Sequence, residues 1–389
     1  MDCRRRLPDE RASAGRGVAP AQIQTVDGLG LVRRCRSRGG AGRIARLLPR
    51  RTRLTGEAVP VAEGVQFNGG NGRAAFDASA NGVLAYRTGA SGELRTLVWV
   101  SRNGTEQPVT APPRAYQQPR LSPGGRRVAI EIAEAQPIVW LYDLTRETLT
   151  RLTFHGDSND LPVWTPDGKR TTVRSTQDNS LGNIYWQMAD GSGGRERLTS
   201  SETQNSPSAW SPDGQLLAFT DISPSTGRDI LVMNLSDRKT QPFLHTPFVE
   251  GAPEFSPDGR WLAYVSDESG RFEVYVQPYP GPGGKWQIST DGGAEPVWNR
   301  NGREFFFRSG NKMMAVDIST QPAFSAGTPR MLFEKQYVST PAPQTFRYFD
   351  VSPDGQRFLM VKPGEQAPTQ ISVVLNWPAD LKRGAAAGK

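Results

Sequence analysis

Cysteine and histidine are scarce in this chain of 389 residues, which holds two of each. Cys3 and Cys35 both lie within the first 53 residues, so the rest of the chain has no disulfide, no cysteine metal ligand and no cysteine nucleophile. The two histidines, His155 and His245, are too few for a multi-histidine metal site. We expect a solvated or structural role for both histidines.

Long apolar runs are also missing. No stretch approaches the roughly 18 consecutive apolar residues that a membrane-spanning helix requires. The first 19 residues carry charges but no apolar segment of the kind found in a secretory signal. We therefore expect neither a membrane span nor a signal peptide in this sequence.

Basic charge is concentrated in residues 1–53, which carry 14 arginines and no lysine against four carboxylates. The rest of the chain is close to neutral, with 33 basic and 35 acidic groups. The basic segment has no aromatic residue and no clear periodicity, so we expect a disordered Arg-rich arm. Two alternatives are an arm that binds a polyanion and an N-terminus that is wrongly started or out of frame. We expect no nucleic-acid binding by the rest of the chain.

A short motif recurs seven times: an apolar residue, a polar turn ending in glycine, and then an apolar strand. The glycines are spaced 43, 43, 46, 45, 43 and 53 residues apart. This period is typical of a four-stranded propeller blade. The seven motifs occupy Ala78–Gly82, Leu121–Gly125, Trp164–Gly168, Trp210–Gly214, Phe255–Gly259, Trp298–Gly302 and Val351–Gly355.

Each motif predicts the hairpin between the first and second strands of a unit, because a tight turn needs the positive φ that Asn, Asp and Gly tolerate. Second strands are predicted after the motif, as at Leu216–Phe219 and Phe358–Val361. Third strands follow, as at Leu97–Val100 and Ile371–Leu375. A shorter, more polar fourth strand suits an outer edge that faces water.

These units predict an all-β fold: a seven-bladed β-propeller of four-stranded antiparallel blades over residues 54–377. The seventh unit ends after its third strand, and an open edge would promote aggregation. We expect the N-terminal segment Gly56–Glu63 to supply the missing strand beside Ile371–Leu375 and so close the ring. Residues 378–389 are expected to form a disordered C-terminal tail.

The Ser-Pro-Asp-Gly units resemble the WD40-like propeller repeats of the TolB type (PD40) and lack the Gly-His and Trp-Asp pairs of true WD40 repeats. Residues 255–317 are similar to the C-terminal propellers of bacterial eukaryote-like serine/threonine protein kinases. The resemblance covers roughly residues 54–377. It implies a bacterial repeat protein of scaffold or sensor type, and a periplasmic or extracytoplasmic location.

No catalytic motif accompanies these repeats. A kinase needs a glycine loop, a catalytic-loop Asp and a metal-binding Asp, and the chain has no Gly-x-Gly-x-x-Gly, no His-Arg-Asp and no Asp-Phe-Gly. Gly281–Lys285 superficially resembles a phosphate loop, but Trp286 follows where Ser or Thr is required. The Gly-x-Ser-x-Gly elbow of a prolyl-oligopeptidase-like hydrolase is also absent. We expect no enzyme activity, no catalytic residue, no cofactor and no metal ligand.

Three recurrent residue types are assigned structural roles. The four motif aspartates fit a turn position, where the side chain bonds its own backbone. Four prolines mark the entry to a first strand, and four aromatic residues at one register of that strand indicate packing between blades rather than a binding box. The residues are Asp167, Asp213, Asp258 and Asp354; Pro119, Pro162, Pro253 and Pro296; and Trp164, Trp210, Phe255 and Trp298.

Polar and acidic residues precede these entry prolines or the equivalent position, in what we take to be loops at one mouth of the central channel. Such a partial ring would focus a field toward cations, so a basic peptide, an amine or a metal ion is a candidate ligand. The alternative is that they are ordinary solvated loop residues. The predicted channel-mouth binding residues are Gln118, Asp160, Asn205, Glu250 and Glu295.

Two functional hypotheses follow. The first is a non-catalytic ligand- or protein-binding module, including a detached sensor domain of a longer kinase-linked protein. It predicts a monomer with a protein or peptide partner. The second is hydrolase or lyase chemistry centred in the channel, or the accessory propeller of a prolyl-oligopeptidase-like peptidase without its catalytic domain.

Overall fold

The protein is described here from a computed structural model. The structure describes residues 23–26, 30–31, 59–62, 67–68, 73–74, 76–79, 82–87, 94–133, 136–154, 158–178, 181–223, 227–321, 323–339, 347–364 and 371–375. Within these ranges every regular element is a β-strand, and no helix has the length and apolarity to cross a membrane. The chain divides into two compact units, Gly92–Gln366 and the combined segments Met1–Ser91 and Ala367–Lys389.

The smaller unit begins with seven short strands. They are β1 (Ile23–Val26), β2 (Gly30–Leu31), β3 (Val59–Ala62), β4 (Phe67–Asn68), β5 (Arg73–Ala74), β6 (Phe76–Ala78) and β7 (Val83–Arg87). Strands β1 and β2 lie inside the segment predicted to be an unpacked arm, and β1 pairs with β3. The remainder of residues 1–53 and all of the predicted tail lie outside the described residues, so the predicted domain boundaries stay predictions.

The described residues of the larger unit form six sheets, each with a path of four strands. Sheet 6 takes its outer strands from the start of this unit, β8 (Arg95–Ser101) and β9 (Glu106–Pro108). Sheet 1 is β10 (Tyr116–Leu121), β11 (Arg127–Ala133), β12 (Pro137–Asp143) and β13 (Thr148–Arg151). Sheet 2 is β14 (Asn159–Trp164), β15 (Arg170–Ser175), β16 (Asn183–Met188) and β17 (Glu196–Arg197). Sheet 3 is β18 (Gln204–Trp210), β19 (Leu216–Ser223), β20 (Gly227–Asn234) and β21 (Thr240–Leu244).

The remaining sheets continue in chain order. Sheet 4 is β22 (Glu250–Phe255), β23 (Trp261–Ser266), β24 (Glu273–Pro278) and β25 (Trp286–Gln287). Sheet 5 is β26 (Ala294–Trp298), β27 (Glu304–Ser309), β28 (Lys312–Ser319) and β29 (Ser325–Ala326), with β30 (Arg330–Glu334) also paired to β28. Sheet 6 starts with β31 (Phe349–Val351) and β32 (Arg357–Pro363). The last strand, β33 (Ile371–Leu375), returns to the smaller unit.

Every sheet in the larger unit is antiparallel, as the repeat predicted. The first strands of consecutive sheets contact one another from β10 to β31, and β31 contacts β10. Apolar clusters fill the spaces between neighbouring sheets, as between sheets 1 and 2, where Val139 and Leu141 pack with Trp164 and Val173. Radially arranged four-stranded sheets with their first strands innermost are the pattern of a β-propeller.

The predicted closure is wrong. Strand β33 pairs with β7, whereas β3, within the segment expected to close the ring, pairs with β1. In sheet 6, β32 pairs instead with β8, the strand assigned from sequence to the first unit. The motif at Ala78–Gly82 therefore joins β6 and β7 of a three-stranded sheet in the smaller unit, and the other six motifs belong to the six sheets of the larger unit. Both Leu97–Val100 and Ile371–Leu375 are short apolar runs, so local pattern did not distinguish their partners.

The turn motif positions the inner strands. In sheet 2 the Thr165 hydroxyl accepts the backbone N–H of Arg170 at 3.0 Å and donates to Asp167 Oδ1 at 2.6 Å. Gly168 adopts φ +67°, a conformation that glycine accepts at low cost. The same side-chain bonds recur at Ser211, Ser256 and Ser352, and they fix the end of each first strand relative to the second.

Candidate functional site

A cavity of about 360 Å³ lies where the first strands of the six sheets converge. Each first strand contributes its last two residues to the lining. The inner layer consists of the penultimate residues Arg120, Val163, Ala209, Glu254, Val297 and Asp350. The outer layer consists of the final residues Leu121, Trp164, Trp210, Phe255, Trp298 and Val351. We call this space the central cavity.

One rim of the central cavity is made by the turn motifs. Four motif prolines line it: Pro123, Pro166, Pro212 and Pro257. Sheet 5 departs from this pattern, because its turn carries Arg300 at the proline position. The Arg300 guanidinium donates to the carbonyl oxygens of Pro123 and Ser122 in the turn of sheet 1. A positive charge therefore stands at a rim that is otherwise made largely of proline.

Arg347 links two carboxylates of the inner layer. Its Nη1 lies 3.2 Å from Glu254 Oε2 in sheet 4, and its Nη2 lies 3.5 Å from Asp350 Oδ1 in sheet 6. Asp350 Oδ2 also accepts the backbone N–H of Leu121 at 2.7 Å, which connects sheets 6 and 1. Burial raises the pKa of Glu254, while the charge of Arg347 acts against that rise.

Arg120 is the inner-layer cation without such a partner. Its side chain is 9% exposed, and Nη1 donates to the carbonyl oxygens of Pro119 and Arg347, both at 3.0 Å. Among the described residues no carboxylate pairs with it, and its buried Nε has no hydrogen-bond acceptor there. Burial, together with the charge of Arg347, lowers the pKa of Arg120 to about 9, although the charges of Asp350, Glu254 and Glu295 oppose the fall, so the group is still charged at neutral pH.

The aromatic residues of the outer layer pack between sheets, as predicted. Trp164 joins the apolar cluster of sheets 1 and 2, and Trp210 joins that of sheets 2 and 3. The Trp164 indole donates to the Arg120 carbonyl at 2.9 Å, and the Trp298 indole donates to the Glu254 carbonyl at 3.1 Å. Because these indole N–H groups are occupied by the preceding sheet, the rings offer the cavity mainly apolar surface.

The motif aspartates also have the predicted turn role. Asp167, Asp213 and Asp354 each accept a hydrogen bond from the motif hydroxyl two residues earlier, and this bond lowers the pKa of each carboxyl. Asp258 accepts the equivalent bond from Ser256 at 2.6 Å. The entry prolines lie within the first strands at register shifts, as between Gly251 and Glu254 around Pro253. They thus occupy bulges, where a missing N–H is tolerated.

The five predicted channel-mouth residues lie in first strands, not in loops, and all five are buried; the expected loop position is therefore wrong. Their register differs from sheet to sheet. Gln118 and Glu295 directly precede the proline of their first strand, and their φ angles are +50° and +57°. Asp160 and Asn205 lie two residues before the proline of their strand, and Glu250 lies three residues before Pro253. The residues are Gln118, Asp160, Asn205, Glu250 and Glu295.

Each of these five side chains has a local partner. In sheet 1, Gln118 Nε2 donates to Glu131 Oε2 at 2.9 Å, and in sheet 3, Asn205 Nδ2 donates to Asp221 Oδ1 at 2.7 Å. Asp160 is held by the Arg174 guanidinium, whose Nε donates to Oδ1 at 2.7 Å.

In sheets 4 and 5, Glu250 accepts the Thr246 hydroxyl. Glu295 accepts the Tyr348 N–H at 2.7 Å and lies 3.7 Å from Arg308. Through these contacts the five side chains form separate clusters rather than one continuous ring. The predicted binding role of the five residues stays a prediction.

Glu250 combines burial with neighbouring negative charge. Burial, followed by the charges of Asp229, Glu268 and Asp267, raises the pKa of Glu250 to about 7, although the Thr246 hydroxyl opposes the rise. His245 is exposed, with Nδ1 3.2 Å from Asp229 Oδ1, whereas His155 lies outside the described residues.

Sequence reasoning missed Arg120 and Arg347. A signal for Arg120 was present, because the residue before each motif is apolar or small in three sheets and charged in the other three. Inner-strand residues alternate between two faces, so a charge at that register points to the channel axis. Arg347 lies between the sixth and seventh motifs and outside both, so the repeat carried no signal for it.

Comparison with known proteins supports the fold. Residues 182–359 match the family model of the TolB β-propeller domain, PD40. A solved structure assigned as a TolB from Agrobacterium tumefaciens matches with a TM-score of 0.59 at 17% identity, covering 71% of this chain and 100% of that chain.

Several curated relatives match at the sequence level, among them the following two. An uncharacterised protein of Agrobacterium fabrum is 24% identical over 223 residues, covering 53% of this chain and 66% of the relative. An uncharacterised peptidase of Bacillus subtilis is 28% identical over 102 residues, covering 25% of this chain and 16% of the relative. The chain spans less than two thirds of the length of either relative. The described part of this chain has the fold of a TolB-like β-propeller.

Proposed function

We propose that this chain is a non-catalytic binding module, a six-bladed propeller that takes a ligand or a protein segment into the central cavity. The observation that carries this proposal is the construction of the cavity, to which the first strand of every one of the six sheets contributes two side chains. Concave sites of this size commonly hold small ligands or the end of a partner chain.

The chemistry of the lining favours binding over catalysis. Among the described residues, the lining includes no His, Cys, Lys or Tyr. Its two carboxylates, Glu254 and Asp350, both engage Arg347. A group held in this way is poorly placed to transfer protons, because its interaction with the arginine must be disrupted first.

A block of the central cavity tests the proposal. Ser208 lines the cavity between sheets, so Ser208→Trp would fill part of it, whereas Ser325→Trp adds the same bulk on exposed strand β29. Ligands captured from native cell extract by the full chain, and identified by mass spectrometry, should be retained by Ser325→Trp and lost by Ser208→Trp. Equal capture by both variants would place binding elsewhere, and turnover of a captured ligand would contradict the non-catalytic part.

The similarity of residues 255–317 to kinase propellers adds a finer proposal, that the chain acts as a sensor detached from a kinase. Its support is the run of motif residues in sheets 4 and 5, which are turn and packing positions. Genomic sequence upstream of the coding region decides it. An in-frame kinase and membrane span would support a sensor origin, and an intact promoter and start codon would contradict it.

A further inference from the structure

The central cavity has an asymmetric charge arrangement. Three arginines line it, Arg120, Arg300 and Arg347, against two carboxylates. Arg347 forms ion pairs with both carboxylates, and Arg300 donates hydrogen bonds at the rim to backbone carbonyls of sheet 1. Arg120 is therefore the buried cation of this lining that makes no direct ion pair in the described part of the molecule.

The neighbours of Arg120 hold it in place, while Asp350, Glu254 and Glu295 act on its charge from a distance without forming a direct ion pair. Two carbonyl oxygens accept from Nη1, which fixes one edge of the guanidinium. Asp350 is occupied by the backbone N–H groups of Leu121 and Val351 in addition to Arg347. A buried guanidinium that has no direct ion pair and an Nε–H without an acceptor is unfavourable unless a further acceptor is supplied.

We propose that Arg120 binds the carboxylate of a ligand in the central cavity. This inference rests on the proposed function, since it names the chemical class that the same cavity receives. The planar guanidinium has five N–H donors in a fork that matches a carboxylate. The two hydrogen bonds to backbone carbonyls use only Nη1, so donors of the fork remain for a ligand. The positive charge of Arg300 at the rim favours entry of an anion along the same path.

The rest of the lining defines the body of the ligand. Beyond the charged residues of the inner layer, the walls are mainly the apolar faces of four aromatic residues and the rings of the motif prolines, with three serines between them. The aromatic residues are Trp164, Trp210, Phe255 and Trp298, and the serines are Ser208, Ser256 and Ser352. A carboxylate attached to a flat or apolar group fits this division, with the anion inside and the apolar part among the aromatic rings. A free organic acid and the carboxyl terminus of a peptide share this chemistry.

Calorimetric titration of the full chain at pH 7 distinguishes these sources. The probes are benzoate and its neutral isostere benzamide, together with acetyl-Gly-Phe carrying either a free or an amidated carboxyl terminus. We expect the free acid of at least one pair to bind at least tenfold more tightly than its amide. Benzoate binding alone identifies a small-acid site, and peptide-acid binding alone identifies a chain terminus. Equal affinity for acid and amide in both pairs, or no binding of any probe, would overturn the proposal.

Two variants locate the binding. Arg120→Gln should weaken binding of the acid at least tenfold and leave the amide unchanged. Arg303→Gln removes the same charge from an exposed position outside the cavity and should leave both unchanged. If Arg120→Gln does not fold, Arg120→Lys keeps the charge but not the fork and should still weaken acid binding. Acid binding that is unaffected in the folded Arg120 variant overturns the assignment.

The two proposals fail in different ways. If the cavity block Ser208→Trp abolishes ligand capture but no probe discriminates acid from amide, only the carboxylate assignment is lost. If Ser208→Trp leaves capture unchanged, the cavity itself is not the binding site, and both proposals are lost.

Discussion

Arg347 compensates two carboxylates of the inner layer at once, the buried Asp350 and the partly exposed Glu254, so we expect it to be the most sensitive single residue lining the central cavity. Replacing it in Arg347→Met leaves Glu254 and Asp350 without their arginine. Breaking a buried ion pair from one side costs about 3–5 kcal/mol because the other charge remains buried. We expect a loss of this size in the free energy of unfolding, measured by urea denaturation.

A second substitution checks the cause of that loss. In the double variant Arg347→Met with Glu254→Gln, one of the two uncompensated charges is removed, so part of the stability should return. A change below about 0.5 kcal/mol for Arg347→Met alone, typical of a surface substitution, would contradict the assigned pairing.

Glu250 gives a prediction about pH. Burial raises the folded-state pKa of Glu250 from its ordinary value of 4.5 to about 7, so folding favours the protonated form. The stability associated with this group is fully present below about pH 4.5 and is lost as the pH rises through about 7. Glu250→Gln should therefore reduce the decline in the urea midpoint between pH 5 and pH 7.5. Glu202→Gln, at an exposed position, serves as the control and should follow the wild type.

At the scale of the elements, the turn of one sheet packs on the turn of the next. A Cβ added at Gly125, where φ is +69°, would lie 2.6 Å from the ring of Pro353 in sheet 6. Gly302 has nearly the same φ, +68°, but nothing within 4 Å of an added Cβ. Substituting each glycine by alanine therefore distinguishes the cost of backbone strain from the cost of a steric contact between sheets.

Both glycine substitutions should destabilise the fold, and Gly125→Ala should do so more strongly. A left-handed conformation costs an alanine about 1–2 kcal/mol, which is the loss expected for Gly302→Ala. Gly125→Ala adds a steric overlap with Pro353, so its urea midpoint should be lower. Identical midpoints for the two variants would show that the turns are not in contact.

At the scale of the whole molecule, sheet 6 joins distant parts of the larger unit. Strands β31 and β32 come from its end and β8 and β9 from its start. Strand β8 buries Leu97, Val98 and Val100, each a contribution of about 1.5–3 kcal/mol. Together they are comparable with the net stability of a domain, about 5–15 kcal/mol.

Truncation tests whether the pairing of β32 with β8 stabilises the larger unit. A fragment of residues 92–366 keeps all six sheets and should unfold cooperatively as a monodisperse species. A fragment of residues 110–366 loses β8 and β9, exposes the edge of β32, and should aggregate or unfold at lower urea concentration. The measurements are urea unfolding followed by tryptophan fluorescence and size-exclusion chromatography. Similar behaviour of the two fragments would contradict a stabilising role for the pairing of β32 with β8.

The local elements were determined by the sequence alone. Turn chemistry acts over a few residues, so the motif aspartates and glycines predicted the hairpins, and apolar runs such as Leu216–Phe219 predicted strands that the structure contains. The packing role of Trp164 and its equivalents followed from the constant register. Each of these features depends on neighbours in the chain, which a repeat of about 45 residues displays directly.

The partners of distant strands and charges were decided only by the tertiary structure. Leu97–Val100 and Ile371–Leu375 have equivalent local patterns, and which of them completes sheet 6 depends on pairing across more than 250 residues. For the same reason the sequence showed five polar residues near strand entries but not their burial or their partners. The pairing of Arg347 with Glu254 and Asp350, and the lack of such a pair at Arg120, arise where six sheets converge, because side chains from different repeats meet there only after folding.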